Sequence, residues 1–445
     1  MDIQHPDLHP LYAEHLAALQ AQADATLAHA GFDHLAIAAG QPHYQFLDDR
    51  DYPFAVNPHF KHWLPVTRAP GSWVVHTPGR RPKLVYLQPR DYWHVVPEAP
   101  AGYWVEHFDI AIIHEPGEAR AHLPRDPART AIVGEPNAAL DDFVPNNPQA
   151  VLERLHWGRS CKTPYELAMM RVASRIGVRA HRAAEAAFRD GASEFDIHLA
   201  YLAAARQGDN ELPYGNIIAL NEHAAVLHYT GLDRAPPAHV HSFLIDAGAS
   251  FHGYASDITR THAAADDDFA ALVASVDAAQ QGFCAKVRAG QSYAELHLHA
   301  HHVLAGVLAE HGIIRMSPES AVESGVSSAF FPHGLGHPIG LQVHDVAGFQ
   351  AGPDGGSIAR PVGHPHLRMT RALEPGMVVT IEPGLYFIDL LLGALRGKPV
   401  GKDVDWDRVD MLKKYGGIRI EDDVICTQDK PENLTRDAFA ALHAS

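Results

Sequence analysis

The sequence predicts a mixed α/β or α+β chain in two domains, and three observations support this fold class. The chain has 445 residues, which exceeds the size of one average domain. Its composition, with 46% hydrophobic and 20% charged residues, is typical of a globular protein with a substantial core. Short β-rich runs separated by Pro, Gly and Asp alternate with segments of helical periodicity. A break in this pattern places the boundary near residue 158, which predicts an amino-terminal domain at 1–157 and a carboxy-terminal domain at 158–445.

The amino-terminal domain is predicted to begin with a helix and to continue with β-strands. Apolar residues at helical spacing between residues 12 and 30 precede Gly31, a common helix stop signal. The predicted strands are His34–Ile37, Trp73–His76, Lys83–Leu87, Ile110–Ile113 and Thr130–Val133. The aromatic, proline-broken segment Tyr52–Val66 is neither helical nor alternating. We interpret it as a packed loop, and the alternative is a lip that reaches a substrate site, including one in a neighbouring subunit.

The carboxy-terminal domain is predicted to open with two helices. Thr163 suits the N-cap of the first, with Glu166 in its first turn, and this helix runs to Gly191. Ser193 suits the N-cap of the second, which ends near Gln207.

Further strands and helices follow along the carboxy-terminal domain. The predicted strands are Asn216–Leu220, Ala225–Tyr229, Met377–Glu382 and Gly417–Ile425, and helices are predicted from Asp266 to about Val287 and from Ser292 to His311. The second of these helices contains the run HLHAHH, at residues 297–302. Because consecutive residues point in different directions around a helix, we interpret this run as a solvated helix face.

One stretch, Phe243–Arg260, predicts a β-hairpin with two carboxylates at its centre. Its β-rich runs are Ser242–Asp246 and Tyr254–Thr259. If the turn centres near residues 251 and 252, Asp246 and Asp257 face each other, with Cβ atoms about 5 Å apart. Carboxylates that close repel, so either one is protonated or a cation lies between them.

Three later motifs supply further candidate ligands. Phe330–Asp345 contains His333, His337 and His344; Thr380–Tyr386 contains Glu382; and Gly417–Val424 contains Glu421. With 33 histidines in the chain, a single histidine means little, and each group alone has an ordinary structural explanation. Together, however, four carboxylates and one imidazole form an oxygen-rich set. Such a set matches two divalent ions, Mn²⁺ above all, with Co²⁺ or Zn²⁺ also accepted.

Composition excludes several other classes of function. The formal net charge of −17 argues against nucleic acid as a partner, because phosphates require a basic surface. Three scattered cysteines without a CxxC pair argue against a disulfide framework and favour a reducing cytoplasm. The amino terminus shows no secretory signal, and no run of about 20 apolar residues is present to span a membrane.

These motifs resemble the metal-dependent pita-bread peptidases, the family of prolidase, aminopeptidase P and methionine aminopeptidase. The resemblance covers nearly the whole chain and implies an amino-terminal mixed-sheet domain, followed by a curved, mainly antiparallel sheet covered by helices. The family's ligand order falls on Asp246, Asp257, His337, Glu382 and Glu421. The segments Pro213–Thr230 and Tyr52–Val66 are most similar to bacterial Xaa-Pro dipeptidases and organophosphorus acid anhydrolases. A homodimer is expected from the same resemblance.

The resemblance also implies a mechanism. Two ions would share a bridging hydroxide, with Asp246 and Glu421 bridging them, Asp257 on one ion, and His337 and Glu382 on the other. Glu382 would also transfer protons. Pocket residues would take the remaining roles. His228 or His344 would stabilise the developing oxyanion, and His333 and Arg419 would bind the substrate's carboxylate. Tyr214 would line the pocket. The expected substrate is an Xaa-Pro dipeptide, which is cleaved to release proline.

Three other functions remain open at this stage. Hydrolysis of organophosphorus esters would use the same nucleophile in a differently shaped pocket, and we expect it as a secondary activity. A catalytically inactive pita-bread binding module is the second, and the complete ligand set argues against it. The third is a metal-free amidinohydrolase of the creatinase type, a class that lacks this ligand set.

Overall fold

A five-stranded mixed sheet forms the centre of the amino-terminal part in the computed structural model, which describes residues 7–443. The strands are β1 (His34–Ala38), β2 (Trp73–His76), β3 (Lys83–Leu87), β4 (Asp109–Ile113) and β5 (Thr130–Val133). Their order is β4-β3-β2-β1-β5. The β1–β2 and β2–β3 pairs are antiparallel, whereas β3–β4 and β1–β5 are parallel. The sheet is therefore mixed, and its strands lie where the β-rich runs predicted them.

Three helices accompany this sheet: α1 (Leu8–Ala30), α2 (Pro58–Trp63) and α3 (Gln149–Ser160). Gly31 ends α1 in the left-handed region at φ 77°, a conformation that glycine adopts without a steric cost. Helix α2 lies within the segment Tyr52–Val66 and buries Phe60 and Trp63. The segment is therefore packed, but the expectation of a loop is wrong for Pro58–Trp63. Helix α3 crosses the predicted boundary at 157/158, which stays a prediction.

Helices α4 (Pro164–Arg189) and α5 (Glu194–Ala205) open the carboxy-terminal part. A capping box fixes the start of α4: the Glu166 N–H bonds to Thr163 Oγ1 at 3.4 Å, and Glu166 Oε2 accepts from the Thr163 N–H at 2.9 Å. Ser193 caps α5 through its hydroxyl oxygen, which accepts from the Asp196 N–H. Both helices pack on apolar residues of the sheet that follows.

Short antiparallel strands form the floor of this part. They are β6 (Ile217–Leu220), β7 (Ser242–Asp246), β8 (Ser250–Phe251), β9 (Tyr254–Ala255), β10 (Thr259–Ala263), β11 (Gln350–Gly352), β12 (Gly355–Ser357), β13 (Val378–Ile381), β14 (Gly384–Tyr386), β15 (Gly417–Arg419), β16 (Asp422–Ile425) and β17 (Glu432–Asn433). They group as β10-β7-β6, β13-β16-β17, β14-β15, β8-β9 and β11-β12. Isolated antiparallel bridges, Thr259 with Glu421 and Pro338 with Val379, join these groups around the centre described below.

Helices cover this floor and complete its core. They are α6 (Asp268–Cys284), α7 (Tyr293–Glu310), α8 (Pro318–Glu323), α9 (Val326–Phe330), α10 (Asp389–Arg396), α11 (Trp406–Leu412) and α12 (Leu434–His443). Residues of α6, α7, α9 and α10 share one apolar cluster with β13 and β14. None of the described helices is both long and apolar enough to cross a bilayer.

Two sequence-based expectations are wrong. Ala225–Tyr229 is not a strand; a 3₁₀ turn at Asn221–Ala225 leads into irregular backbone instead. The buried Glu194 explains the bend, because it accepts hydrogen bonds from Tyr229 Oη and from the Leu220 N–H. The HLHAHH run is not a solvated face, because His297 and His301 are each only 1% exposed. These two residues lie four positions apart and therefore share the inner face of α7.

Candidate metal centre

The hairpin that carries the first two candidate ligands differs in register from the expectation. Asp246 pairs with Thr259 rather than Asp257, and the turn lies at His252 and Gly253. The turn centre lies one residue further along the chain than expected, and this moves every cross-strand partner by two positions. The direct opposition predicted for Asp246 and Asp257 is therefore wrong. Both side chains nevertheless reach Tyr214, whose hydroxyl lies 2.8 Å from Asp246 Oδ1 and 2.5 Å from Asp257 Oδ1.

The five predicted ligands come together at this point. Asp257, His337 and Glu421 each place a ligand atom within 4.8 Å of the other two. His337 Nε2 lies 3.5 Å from Asp257 Oδ2 and 3.7 Å from Glu382 Oε1. The side chains of Asp246 and Glu382 are 14% and 17% exposed, whereas the other three ligands are almost completely buried. The cluster is thus closed on the protein side and open towards a cleft.

Neighbouring side chains hold the candidate ligands in place. The Thr259 hydroxyl donates to Glu421 Oε2 at 2.7 Å, and Arg419 Nη2 donates to Asp246 Oδ2 at 2.7 Å. His337 Nδ1 lies 3.0 Å from the carbonyl oxygen of Pro338. This contact makes Nδ1 the protonated nitrogen and leaves the Nε2 lone pair to face the carboxylates, as metal-binding histidines require.

Gly336 allows the His337 segment to approach β13 closely. It has φ 155°, and a Cβ built there would lie 2.1 Å from the carbonyl oxygen of Thr380. The two segments bond directly: the His337 N–H donates to Thr380 Oγ1 at 3.1 Å, and the Thr380 N–H donates to the His337 carbonyl at 2.9 Å. A side chain at position 336 would force the His337 segment and β13 apart.

The electrostatics of the centre fit divalent cations. Burial raises the pKa of Asp246 and raises that of Glu382 to about 7. Burial, followed by the charge of Asp257, raises the pKa of Glu421 well above its usual value. Burial acts on Asp257 in the same direction, but the bond and charge of His337 outweigh it and lower the pKa. Buried carboxylates this close together do not all ionise unless positive charge lies near them. Hard divalent ions supply that charge and prefer oxygen ligands.

A cleft of about 1820 Å³ leads to the centre. Asp246, Asp257, Tyr214, His228 and His344 are among the residues that line it. Side chains from the Tyr52–Val66 segment line the same cleft, among them Phe54 and Lys61. This segment is therefore both packed and part of the wall, within one chain.

The predicted substrate-binding residues lie at different distances from the ligands. His344 packs its ring on His337, with ring centroids 4.4 Å apart, whereas His228 is exposed on the cleft wall. His333 Nδ1 contacts the Gly334 carbonyl, and its Nε2 lies 2.9 Å from Tyr386 Oη. The guanidinium of Arg419 is buried and engaged with Asp246 and Tyr386, so it supports a candidate ligand directly.

Sequence reasoning missed two residues of the centre, Tyr386 and Thr259. Tyr386 accepts from Arg419 Nη1 at 2.8 Å and links it to His333. Thr259 orients Glu421. Both lie inside the motifs that carry the ligands, and Thr259 follows Asp257 by two positions in a β-rich run. Strand alternation would have placed it on the same face as Asp257.

Comparison with known proteins agrees with this geometry. Residues 10–157 match the family described as Xaa-Pro dipeptidase, N-terminal domain, and residues 168–428 match metallopeptidase family M24. Xaa-Pro dipeptidases of Stenotrophomonas maltophilia (strain K279a) and Xanthomonas axonopodis pv. citri (strain 306) are 63% and 61% identical to this chain. The matches cover 97% and 98% of this chain and 98% and 99% of those proteins.

Solved structures show the same fold at lower identity. Zn-substituted aminopeptidase P of E. coli in complex with product has a TM-score of 0.70 at 23% identity, covering 96% of this chain and 98% of that one. Proline aminopeptidase P II from Yersinia pestis has a TM-score of 0.69 at 24% identity, covering 97% and 100%. At these identities the likeness establishes the fold alone, which is the predicted pita-bread fold.

The fold and the carboxylate–imidazole centre together define a metallopeptidase of the pita-bread class. The chain belongs to metallopeptidase family M24. The family and enzyme class predicted from the sequence, a metallopeptidase of the Xaa-Pro dipeptidase type, are therefore confirmed. Membership of this family implies divalent metal ions.

Proposed function

We propose that this chain hydrolyses Xaa-Pro dipeptides and releases proline at a centre of two divalent ions. The observation that carries the proposal is the convergence of four carboxylates and one imidazole beside a cleft that Asp246 and Asp257 line. Relatives named Xaa-Pro dipeptidase, 60–63% identical over nearly their full lengths, support the substrate class. Mn²⁺ is the proposed ion because the donor set is rich in oxygen, and Co²⁺ or Zn²⁺ would also bind.

The five proposed ligands would share the two ions in this proposal. Asp246 and Glu421 would contribute to holding both ions, Asp257 to holding one, and His337 and Glu382 to holding the other. When bound, the ions supply a water of lowered pKa and polarise the substrate carbonyl. Glu382 would hold the proton released in hydrolysis and pass one to the leaving prolyl nitrogen, because its carboxylate lies 3.7 Å from His337 Nε2 and its side chain remains 17% exposed.

The substrate lies in the cleft between the ligands and the histidine-rich wall. His344 packs on His337 and His228 faces the same space, so either can stabilise the developing oxyanion. Tyr214 lines the cleft, and His333 and Arg419 bind the terminal carboxylate. An Xaa-Pro bond has no N–H at the proline nitrogen. Polarisation of the carbonyl therefore replaces the hydrogen bond that other peptidases form there.

A metal-dependence profile on a panel of Xaa-Pro dipeptides, with one Xaa-Pro-Yaa tripeptide, tests the function. We expect no activity after complete chelation, recovery with Mn²⁺, and much lower kcat/KM for the tripeptide. Activity that survives complete chelation would refute the metal-dependent mechanism and point to the creatinase type. A kcat/KM higher for a phosphotriester than for Leu-Pro would make organophosphorus hydrolysis the main activity instead.

We also propose a homodimer in a reducing cytoplasm. All three cysteines are free thiols, which suits a reducing compartment. Large apolar side chains are exposed near the rim of the cleft, with Phe46, Leu47 and Trp93 at 89%, 92% and 77% exposure. A second copy that covers them would remove apolar area from water. Sedimentation of the wild type should give a dimer, and of Phe46→Glu/Leu47→Glu a monomer; a monomeric wild type would refute the proposal.

A further inference from the structure

Three histidines outside the proposed catalytic centre converge at the inner face of α7. They are His297 and His301, four positions apart on the helix, and His364 from the segment between β12 and β13. The ring centroids lie 4.7–4.8 Å apart in all three pairs. One ring nitrogen of each residue lies within 4.8 Å of the others. We call this group the three-histidine cluster.

The cluster contains ring nitrogens that the fold leaves without partners. His297 Nε2 lies 2.9 Å from His364 Nδ1, and His301 Nδ1 lies 3.1 Å from the Ser327 hydroxyl. The other nitrogens of the two helical residues, His297 Nδ1 and His301 Nε2, are buried without a hydrogen-bond partner among residues 7–443. An unpaired polar atom of this kind costs roughly 1–3 kcal/mol, which calls for a compensating interaction.

The cluster is electrically neutral and rich in lone pairs. Burial, followed by the charges of the neighbouring histidines, lowers the pKa of His297 to about 2 and that of His301 to about 3. Burial also lowers the pKa of His364. Neutral imidazole is the form that binds transition metals. No carboxylate belongs to the cluster, in contrast to the proposed catalytic centre.

Another buried histidine group in the chain shows what a purely structural group looks like. His15 bonds through both ring nitrogens, to Thr163 Oγ1 and to the His62 carbonyl, each at 2.8 Å. Glu166 provides a compensating negative charge, 3.3 Å from His62 Nε2. That group is complete without an ion. The three-histidine cluster has two ring nitrogens without a partner, and no carboxylate belongs to it.

We propose that the three-histidine cluster is a further metal site, which binds one divalent transition ion, with Zn²⁺ as its natural occupant. Three imidazoles suit Zn²⁺ better than Mn²⁺ and leave a fourth position for water. The ion takes the place of the hydrogen bond between His297 Nε2 and His364 Nδ1, and each neutral ring keeps its one proton on its other nitrogen. His301 Nε2 supplies the third lone pair. His364 is only partly buried, so ions can enter from solvent on its side.

The position of the site links it to the proposed substrate pocket. The Phe331 ring packs against His301 at 4.8 Å and against His333 at 4.9 Å. A single aromatic ring thus separates the two groups of histidines. Their ligand chemistry differs, so ion identity distinguishes the two sites.

Zinc content per chain tests the site. The variant is His364→Gln, because this residue lies in a turn and its change spares the helix core. The matched control is His302→Gln, on the same helix but outside the cluster, where Nδ1 bonds to the Leu298 carbonyl. Each chelated protein is equilibrated with Zn²⁺ and freed of loose ions, and bound zinc is measured by mass spectrometry. We expect one zinc fewer per chain in His364→Gln than in the wild type and in His302→Gln.

Zinc contents that are equal in all three proteins would overturn the proposal, and so would equal losses in both variants, which indicate nonspecific binding. A second measurement does not depend on activity: Zn²⁺ should raise the Tm of the wild type and of His302→Gln more than that of His364→Gln. Dipeptidase activity with Mn²⁺ should be the same in all three proteins, so failure of the zinc result leaves the proposed function untouched.

Discussion

At the scale of single residues, the proposed catalytic centre depends on carboxylates that the fold brings close together although their negative charges repel one another. Asp257 is held from two sides, because Oδ2 lies 3.5 Å from His337 Nε2 and Oδ1 accepts from the Tyr214 hydroxyl, which also bonds to Asp246. Asp257→Asn should remove a charge that the ions need. We expect lower metal content and a loss in kcat/KM of at least about 10²-fold, larger than the loss of an outer-shell partner causes.

The control for Asp257→Asn is Asp266→Asn, the same chemical change at an exposed position. Circular dichroism should show both variants folded, since asparagine preserves shape. Metal analysis then separates them. An Asp257→Asn protein with wild-type metal content would exclude Asp257 as a ligand.

Arg419 has two possible roles, and one variant separates them. In the structure its guanidinium donates to Asp246 and Tyr386, whereas the resemblance implies contact with the substrate carboxylate. If it binds substrate, Arg419→Ala should raise KM for free dipeptides and spare C-terminally amidated ones. Equal losses on both substrates, with reduced metal content, would assign Arg419 to positioning Asp246. Arg419→Lys keeps the charge without the fork and serves as the comparison.

At the scale of elements, the start of α4 ties the two parts of the chain together. Thr163 Oγ1 caps the helix and also contacts His15 of α1. Thr163→Ala should therefore reduce the free energy of unfolding by about 1–2 kcal/mol, measured in urea. Ser317→Ala, at the exposed cap of the short helix α8, should cost less. Equal costs would show that the contact with His15 contributes nothing.

Much of this architecture follows from local patterns. The five amino-terminal strands and the caps Thr163 and Ser193 were predictable because turn residues and alternation mark them directly. The proposed ligands lie in apolar or glycine-rich motifs, and the family resemblance then selected His337 from the three histidines of its motif. Local sequence patterns do not show which residues distant in sequence contact each other. The hairpin register, the bend around Glu194 and the inward face of His297 all depend on partners distant in sequence.

At the scale of the whole molecule, buried neutral histidines make the fold sensitive to acid. Burial lowers the pKa of His15 to about 4 and that of His181 to about 3, against 6.5 for an exposed histidine. As the pH falls below 6.5, these histidines take up protons in the unfolded chain but stay neutral in the folded chain. Their contribution to the free energy of unfolding is therefore fully present above pH 6.5. It is lost as the pH falls towards 4 for His15 and 3 for His181, and the loss for His15 is roughly 3 kcal/mol.

Urea unfolding at several pH values between 7 and 4 measures this dependence. In His181→Gln the free energy of unfolding should depend less steeply on pH than in the wild type, because the unfolded variant binds one proton fewer. His43→Gln makes the same change at an exposed histidine and serves as the comparison. A slope that does not change in His181→Gln would show that other groups control acid stability.

The bond between Thr259 and Glu421 joins residues 162 positions apart, and this distance has a consequence for the order of folding. The hairpin can form early, but by itself it offers an ion only two of the five proposed ligands. The complete set exists only after the last strands have closed this long loop. The chain can therefore select its metal ions only after folding is complete. In stopped-flow measurements, added ions should slow the unfolding of the folded protein and leave the rate of refolding nearly unchanged.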